Sequence, residues 1–266
     1  MQEVLKKLRK INTLLQDEHS WTESGDSDLP FSALAEEMGS LLHADLFIAS
    51  KDGRVLGAHD EFHVGNVRLM QYVDERQMPQ FYMDELQLLT ETVENIDVNA
   101  KISIFPIEQK DQYLESKTTI VPVFSSGQRL GYVILGRAVK PFDTNDLILA
   151  EYASTVIGVE LLHWQNARFA QAARERQNVH LAFKTLSYSE FEALKVIFSG
   201  LNGLEYRFTA AKIADQHDIT RSVIVHAIRK LESAGVIEGR SLGVKGTYIK
   251  IKNENILKAI REEFKK

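Results

Sequence analysis

Residues 219–235 read Ile-Thr-Arg-Ser-Val-Ile-Val-His-Ala-Ile-Arg-Lys-Leu-Glu-Ser-Ala-Gly, which gives a helix a start, two distinct faces and a stop. Thr220 is a helix-capping residue type, and Ile219 with Ile224 stands at the hydrophobic staple positions. Ile224, Ala227, Ile228 and Leu231 recur at i, i+3, i+4 and i+7, so they face a core. Arg221, Ser222, Val225, His226 and Arg229 form the opposite stripe, and Gly235 ends the helix. Such a stripe suits the major groove of DNA. Arginine can grip guanine through two hydrogen bonds, serine can bond a base or a phosphate, and Val225 can pack on a thymine methyl. Taken alone, the same stripe also describes the solvated basic face of an ordinary surface helix.

The flanking sequence decides between these readings. Upstream, Ser187-Tyr-Ser-Glu190 is a capping box with Leu186 and Phe191 around it, and Leu194, Ile197 and Phe198 continue the buried face of that helix. A short second helix, Ala210 to His217, runs into a tight turn at Asp218-Ile219. Downstream of Gly235, a strand begins at Val236. Residues 240–246 form a loop, and Thr247 to Ile251 alternates as the returning strand. Helix, turn, helix and wing stand in order. Candidate DNA contacts are Ala210, Thr220, Arg221, Ser222, Val225, His226 and Arg229, with Arg240, Ser241 and Lys245 on the wing, where cations would neutralise phosphate. Between residues 205 and 250 there are eight Lys/Arg against five acids, a net of +3. The total is -5, so the remainder carries -8. A basic module on an acidic body restricts phosphate contact to that module.

Further outward the chain changes character. Residues 143–185 contain no proline or turn cluster and read as one long helix capped by Asp143, about 60 Å at 1.5 Å per residue. Its first half is apolar and its second half polar. Before it, Val4 to Leu15 and Phe31 to Leu42 read as helices separated by the polar stretch Trp21 to Asp28. Strands are expected at Leu46–Ala49 and Val55–Gly57 around the turn Lys51-Asp52-Gly53, then at Lys101–Phe105, Thr118–Phe124 and Arg129–Leu135, with helix over Val67–Leu89. The fold class expected is α+β: a sensor-type domain over residues 1–142, an antiparallel sheet with helices in the layout that GAF and PAS domains share; a connecting helix over 143–185; and a winged helix-turn-helix over 186–266.

Composition narrows the function class. The chain has no cysteine, hence no disulfide, thiolate metal site or cysteine nucleophile. The N-terminus reads as an amphipathic helix and no run approaches 18 apolar residues, so a soluble cytoplasmic protein is expected. His59-Asp-Glu-Phe-His63 lacks the residue order of a metalloprotease, and there is no nucleophile elbow, dinucleotide fingerprint or phosphate loop. An enzyme is not expected, nor a metal or a cofactor. A protein-binding winged helix is the other rival, and the basic stripe and wing tip argue against it.

At Ile219–Val225, Arg229–Gly235, Arg240–Gly243 and Lys245–Tyr248 the sequence resembles the CodY family, nutrient-sensing pleiotropic repressors of low-GC Gram-positive bacteria. Leu186–Glu190, Asp146–Glu151 and Thr118–Pro122 extend the resemblance over nearly the whole chain, more weakly before about residue 95. It implies a GAF-type domain that binds isoleucine, leucine or valine, a homodimer, and tighter binding to double-stranded operator DNA when these amino acids are plentiful. By motif position, Arg68 would hold the ligand carboxylate, with Leu69, Tyr72, Met78, Tyr82, Ser103, Phe105 and Pro106 forming the rest of the pocket. Tyr72 and Met78 stand where methionine and phenylalanine are usual, and His226 where asparagine is. Some members also sense GTP through Ser-Arg-Arg-Gly-Lys, which here reads Ser50-Lys51-Asp52-Gly53-Arg54. Asp52 would repel a triphosphate, so a weak or absent GTP response is expected; the alternative is a nucleotide site at Ser50, Lys51 and Arg54.

Overall fold

A computed structural model describes residues 2–14, 29–63, 65–200 and 203–263. The expected polar stretch Trp21–Asp28 and Leu15 lie outside the described residues. The chain divides into two compact units, Met1–Asn166 and Ala167–Lys266.

In the first unit, helices α1 (Gln2–Leu14) and α2 (Ser32–Leu42) precede the hairpin β1 (Asp45–Ser50) and β2 (Val55–His59). Then come α3 (Val67–Glu75), α4 (Gln80–Leu86), β3 (Val93–Asp97), a 3-10 turn (Ile107–Gln112), β4 (Lys117–Ser125), β5 (Gln128–Arg137) and α5 (Thr144–Lys184). The strands form one sheet, order β2-β1-β5-β4-β3, with every pairing antiparallel. The strand period of two sorts side chains to both faces. Leu46, Ile48, Val133 and Leu135 pack with α2 and α5, whereas Phe47, Ala49, Tyr132 and Ile134 pack with α3 and α4. By length and composition the first half of α5 could cross a membrane. Its apolar side chains Leu149, Val156, Ile157 and Leu161 are instead buried on the sheet.

Two expectations for this unit are corrected. Lys101–Phe105 is no strand, and the edge position belongs to β3, paired with β4 through Val93–Ile120 and Ile96–Thr118. The carbonyls of residues 102 to 105 accept from side chains: Tyr82 Oη on Ile102, Asn66 on Ile104, and Arg68 on both Ser103 and Phe105. The Ile104 and Phe105 N–H groups donate to the hydroxyls of Thr118 and Ser103. Alternating Ile102 and Ile104 imitate a strand, but side chains supply the hydrogen bonds of a ladder. The helical stretch Val67–Leu89 is two helices, broken where Arg76 takes a left-handed conformation and Pro79 starts α4.

In the second unit, α6 (Tyr188–Ser199), β6 (Glu205–Phe208), α7 (Ala210–His217), α8 (Arg221–Ser233), β7 (Ile237–Ser241), β8 (Thr247–Ile251) and α9 (Asn255–Glu263) surround one core, in which Val179 and Ala182 of α5 take part. The sheet order is β6-β8-β7. The capping box is formed in full: Glu190 N–H donates to Ser187 Oγ at 3.3 Å and Ser187 N–H to Glu190 Oε2 at 2.7 Å. α8 ends in a Schellman motif. Gly235 N–H reaches Glu232 O and Val236 N–H reaches Leu231 O, and Gly235 has φ +69, a conformation that costs a glycine little.

Candidate functional site

Helix α8 divides as its sequence does. Ile224, Ala227, Ile228 and Leu231 are buried, while Arg221, Ser222, His226 and Arg229 are exposed and Val225 is half-buried. Arg221, Val225 and Arg229 line a cleft of about 310 Å³ together with Arg240 and Ser241 of the wing. Lys245 is exposed in the 3-10 turn Gly243–Lys245 at the wing tip, which Leu242 N–H closes by donating to Gly246 O at 2.8 Å. Gly246 at φ +95 has no room for a Cβ against the Phe208 backbone, so the wing's return is built for glycine.

Four details could not be read from the pattern. Ala210 lines the cleft but is 7% exposed, with its methyl in the core, so it meets a ligand through its backbone. Thr220 stands at the N-cap of α8 but makes no capping bond; its hydroxyl lies 3.0 Å from that of Ser222, leaving both hydroxyls at the helix start. Arg240 is held by Glu238 at 3.0 and 2.7 Å, and Lys252 also reaches Glu238, at 3.1 Å. Lys230, a cation of α8 that adds to the module's positive charge, bonds Glu190 Oε2 at 2.7 Å and Thr185 O at 2.8 Å. That ammonium, and then the Ser187 N–H, hold the Glu190 carboxyl below its usual range.

The second site lies beside α3. Asn66 caps this helix, accepting from Leu69 N–H at 3.2 Å while donating to Ile104 O at 3.1 Å. That pair of bonds fixes the helix start against residues 102–105. Arg68, in the first turn, donates through Nη1 to the carbonyls of Ser103 (3.2 Å) and Phe105 (3.1 Å), and through Nη2 to Glu108 Oε2 (3.2 Å). It borders a cleft of about 430 Å³, a volume suited to a small molecule. Of the eight expected pocket residues, Arg68, Tyr72 and Pro106 line this cleft. Leu69, Met78, Tyr82, Ser103 and Phe105 lie behind it in the core, each 5% exposed or less. Tyr72 and Tyr82 face each other at 6.0 Å, and burial raises both hydroxyls above the usual range. Phe81, Glu108 and Gln109 also line the cleft and escaped the sequence reading.

The turn Ser50–Arg54 is structurally committed. Ser50 Oγ accepts from Arg54 N–H at 3.1 Å, Met78 N–H donates to Gly53 O at 2.8 Å and Gln77 Nε2 to Asp52 O at 2.9 Å. Lys51 and Arg54 are exposed with Asp52 exposed between them. His59 bonds Glu61 at 2.8 Å, and no metal-binding group of His, Asp or Glu is found among the described residues.

A family model described as the CodY GAF-like domain matches residues 3–185, and another, the CodY helix-turn-helix domain, matches residues 204–265. The chain is similar to the global transcriptional regulator CodY of Exiguobacterium sibiricum, with 45% identity over 254 residues, 96% of each chain. It is also similar to that of Geobacillus kaustophilus, with 44% identity over 259 residues, 97% of this chain and 98% of that one. Among solved structures, the cofactor-binding GAF domain of the nutrient sensor CodY from Clostridium difficile is 32% identical, covering 60% of this chain and 97% of that one, with a TM-score of 0.42.

Proposed function

Because this chain belongs to the CodY family, whose curated relatives are transcriptional regulators and not enzymes, we propose that it is a cytoplasmic, homodimeric global regulator, mainly a repressor, that senses branched-chain amino acids. Its GAF-type domain (residues 1–142) binds isoleucine, leucine or valine, the helix of 143–185 connects, and the winged helix of 186–266 binds operator DNA. The observation that carries the DNA half is the cleft where Arg221, Val225 and Arg229 of α8 meet Arg240 and Ser241 of the wing. A helix fits the major groove, and flanking cations fix register on phosphate. The ligand half rests on Arg68. It is a guanidinium tied to two backbone carbonyls with one edge on the cleft, next to aromatic and apolar walls. That chemistry selects a carboxylate attached to an apolar side chain.

Ligand binding acts by population shift: the amino acid prefers the DNA-competent state, and α5, whose ends contribute to the cores of both units, is the continuous element between the sites. The response to GTP is weak or absent, because Asp52 sets an anion between the cations Lys51 and Arg54 of the turn Ser50–Arg54. The test is calorimetry with isoleucine, leucine, valine and GTP, followed by affinity for a duplex selected from a random DNA pool, with and without saturating isoleucine. Binding of a branched-chain amino acid, little or no heat with GTP and a tighter DNA complex are expected. Unchanged DNA affinity, or micromolar GTP binding, contradicts the proposal.

A further inference from the structure

The Arg68 guanidinium already holds a carboxylate that belongs to the protein. Its Nη2 donates to Glu108 Oε2 at 3.2 Å, while its Nη1 is tied to the Ser103 and Phe105 carbonyls. The Arg68 side chain is 15% exposed and the Glu108 side chain 71% exposed. One partner is therefore fixed in the wall of the cleft and the other reaches in from solvent. Glu108 sits in the 3-10 turn Ile107–Gln112, which is irregular at the next residue: Gln109 departs from helical conformation at φ -116, ψ 26. Gln109 Oε1 is buried without a hydrogen-bond partner among the described residues. A buried acceptor left unsatisfied costs free energy that any rearrangement supplying a donor recovers. The segment carrying Glu108 is thus held by a surface ion pair and contains an unsatisfied polar atom.

We infer that Glu108 is an internal stand-in for the ligand carboxylate, which an amino acid must displace from Arg68, so that Glu108 sets the concentration at which the sensor responds. The inference rests on the amino-acid site proposed above. Two carboxylates cannot share the Nη2 edge, because the second brings like-charge repulsion as well as competition for the same N–H. Displacement frees the turn to re-pack, and the chemical event at Arg68 becomes a backbone event at residues 107–112. An ion pair with one solvated partner is weak, so the threshold is adjusted and binding is not blocked.

Calorimetry on the full chain with Glu108→Gln and Glu108→Ala tests this, using isoleucine and 2-methylbutylamine, which is isoleucine without its carboxylate. Both variants are expected to bind isoleucine three- to tenfold tighter, about 0.7 to 1.4 kcal/mol by the tenfold equivalence. The amine should gain nothing. Amide exchange in residues 107–113 of ligand-free Glu108→Ala should match that of isoleucine-loaded wild type. If wild type binds isoleucine and neither variant binds it more tightly, Glu108 is not a competitor and the inference is overturned. Equal tightening for the amine also overturns it, since only a carboxylate competes with Glu108. If wild type binds none of the branched-chain amino acids, the proposed sensor function itself fails, a result the first titration reports separately.

Discussion

Arg229 and Lys230 are adjacent cations on α8 with opposite assignments, and exchanging each for a neutral residue should give opposite phenotypes. Arg229 is exposed on the cleft side, whereas Lys230 bonds Glu190 Oε2 at 2.7 Å and Thr185 O at 2.8 Å. The Glu190 side chain is 8% exposed and that of Lys230 38%. This pair stands between exposed ion pairs, which contribute under about 1 kcal/mol, and buried ones, where losing one partner costs about 3–5 kcal/mol. Lys230→Met should therefore cost about 2 kcal/mol, and for a unit the size of Ala167–Lys266 that lowers Tm by roughly 10 °C. The pH dependence identifies the cause. Glu190 titrates below its usual 4.5 in the folded state, so its contribution is complete above pH 4.5 and is lost as pH falls through the depressed value. The Tm gap between wild type and Lys230→Met should be full at pH 7 and close at acidic pH. Arg229→Ala should change stability by no more than about 0.5 kcal/mol, as expected of surface changes. It should instead flatten the dependence of log K on log salt by about 0.9 for each phosphate that Arg229 neutralises in the wild type. Thermal melts at pH 7 and at successive steps below pH 4.5, with DNA titrations from 50 to 200 mM salt, read both. The assignments are refuted if Lys230→Met keeps its Tm and flattens the salt slope while Arg229→Ala does the reverse.

Two other outcomes follow from local electrostatics. Asp45 is fully buried, its Oδ1 accepting from the Glu61 and Phe62 N–H groups while Oδ2 has no partner among the described residues, and burial pushes its pKa from 3.8 up to about 6. An acid whose folded pKa is raised destabilises the protein as it ionises. The cost is absent below pH 3.8 and complete above pH 6, and it amounts to roughly 3 kcal/mol at most. Asp45→Asn should remove this slope, so that melts of wild type fall relative to the variant between pH 4 and pH 7; parallel curves would reject the assignment. At the wing, Glu238→Gln should release Arg240 and Lys252 from their shared acid, tightening binding to nonspecific duplex and steepening its salt dependence. Weaker binding would show that Glu238 orients Arg240 for DNA.

The winged helix was legible because each of its signals is local: the i, i+3, i+4, i+7 spacing on α8, the capping box at Ser187 and the glycine after Ala234. β6 was missed because Glu205–Phe208 is four residues long and is a strand only through its pairing with β8. α9 went unread although Ile256 and Ile260 stand one turn apart and are buried. The false strand at Lys101–Phe105 has the right alternation, but its hydrogen bonds come from Tyr82, Asn66 and Arg68, 20 or more residues away in sequence, which no local pattern records. The same distance hid Glu108, which is 40 residues from Arg68. Lys230 shows a related limit: a charge count treats every cation alike, and only the fold reveals that this one is bound by Glu190.

The central claim is that the exposed stripe of α8 enters a DNA groove and reads bases there. Arg221→Ala tests it most directly, by titrating a duplex selected by the wild-type protein and a scrambled duplex across the same salt range. Removing one base-reading side chain should reduce discrimination between the two duplexes by about 1–3 kcal/mol, with Tm unchanged because Arg221 is exposed. Retention by Arg221→Ala of both the wild-type preference for the selected duplex and the wild-type salt slope would contradict the account.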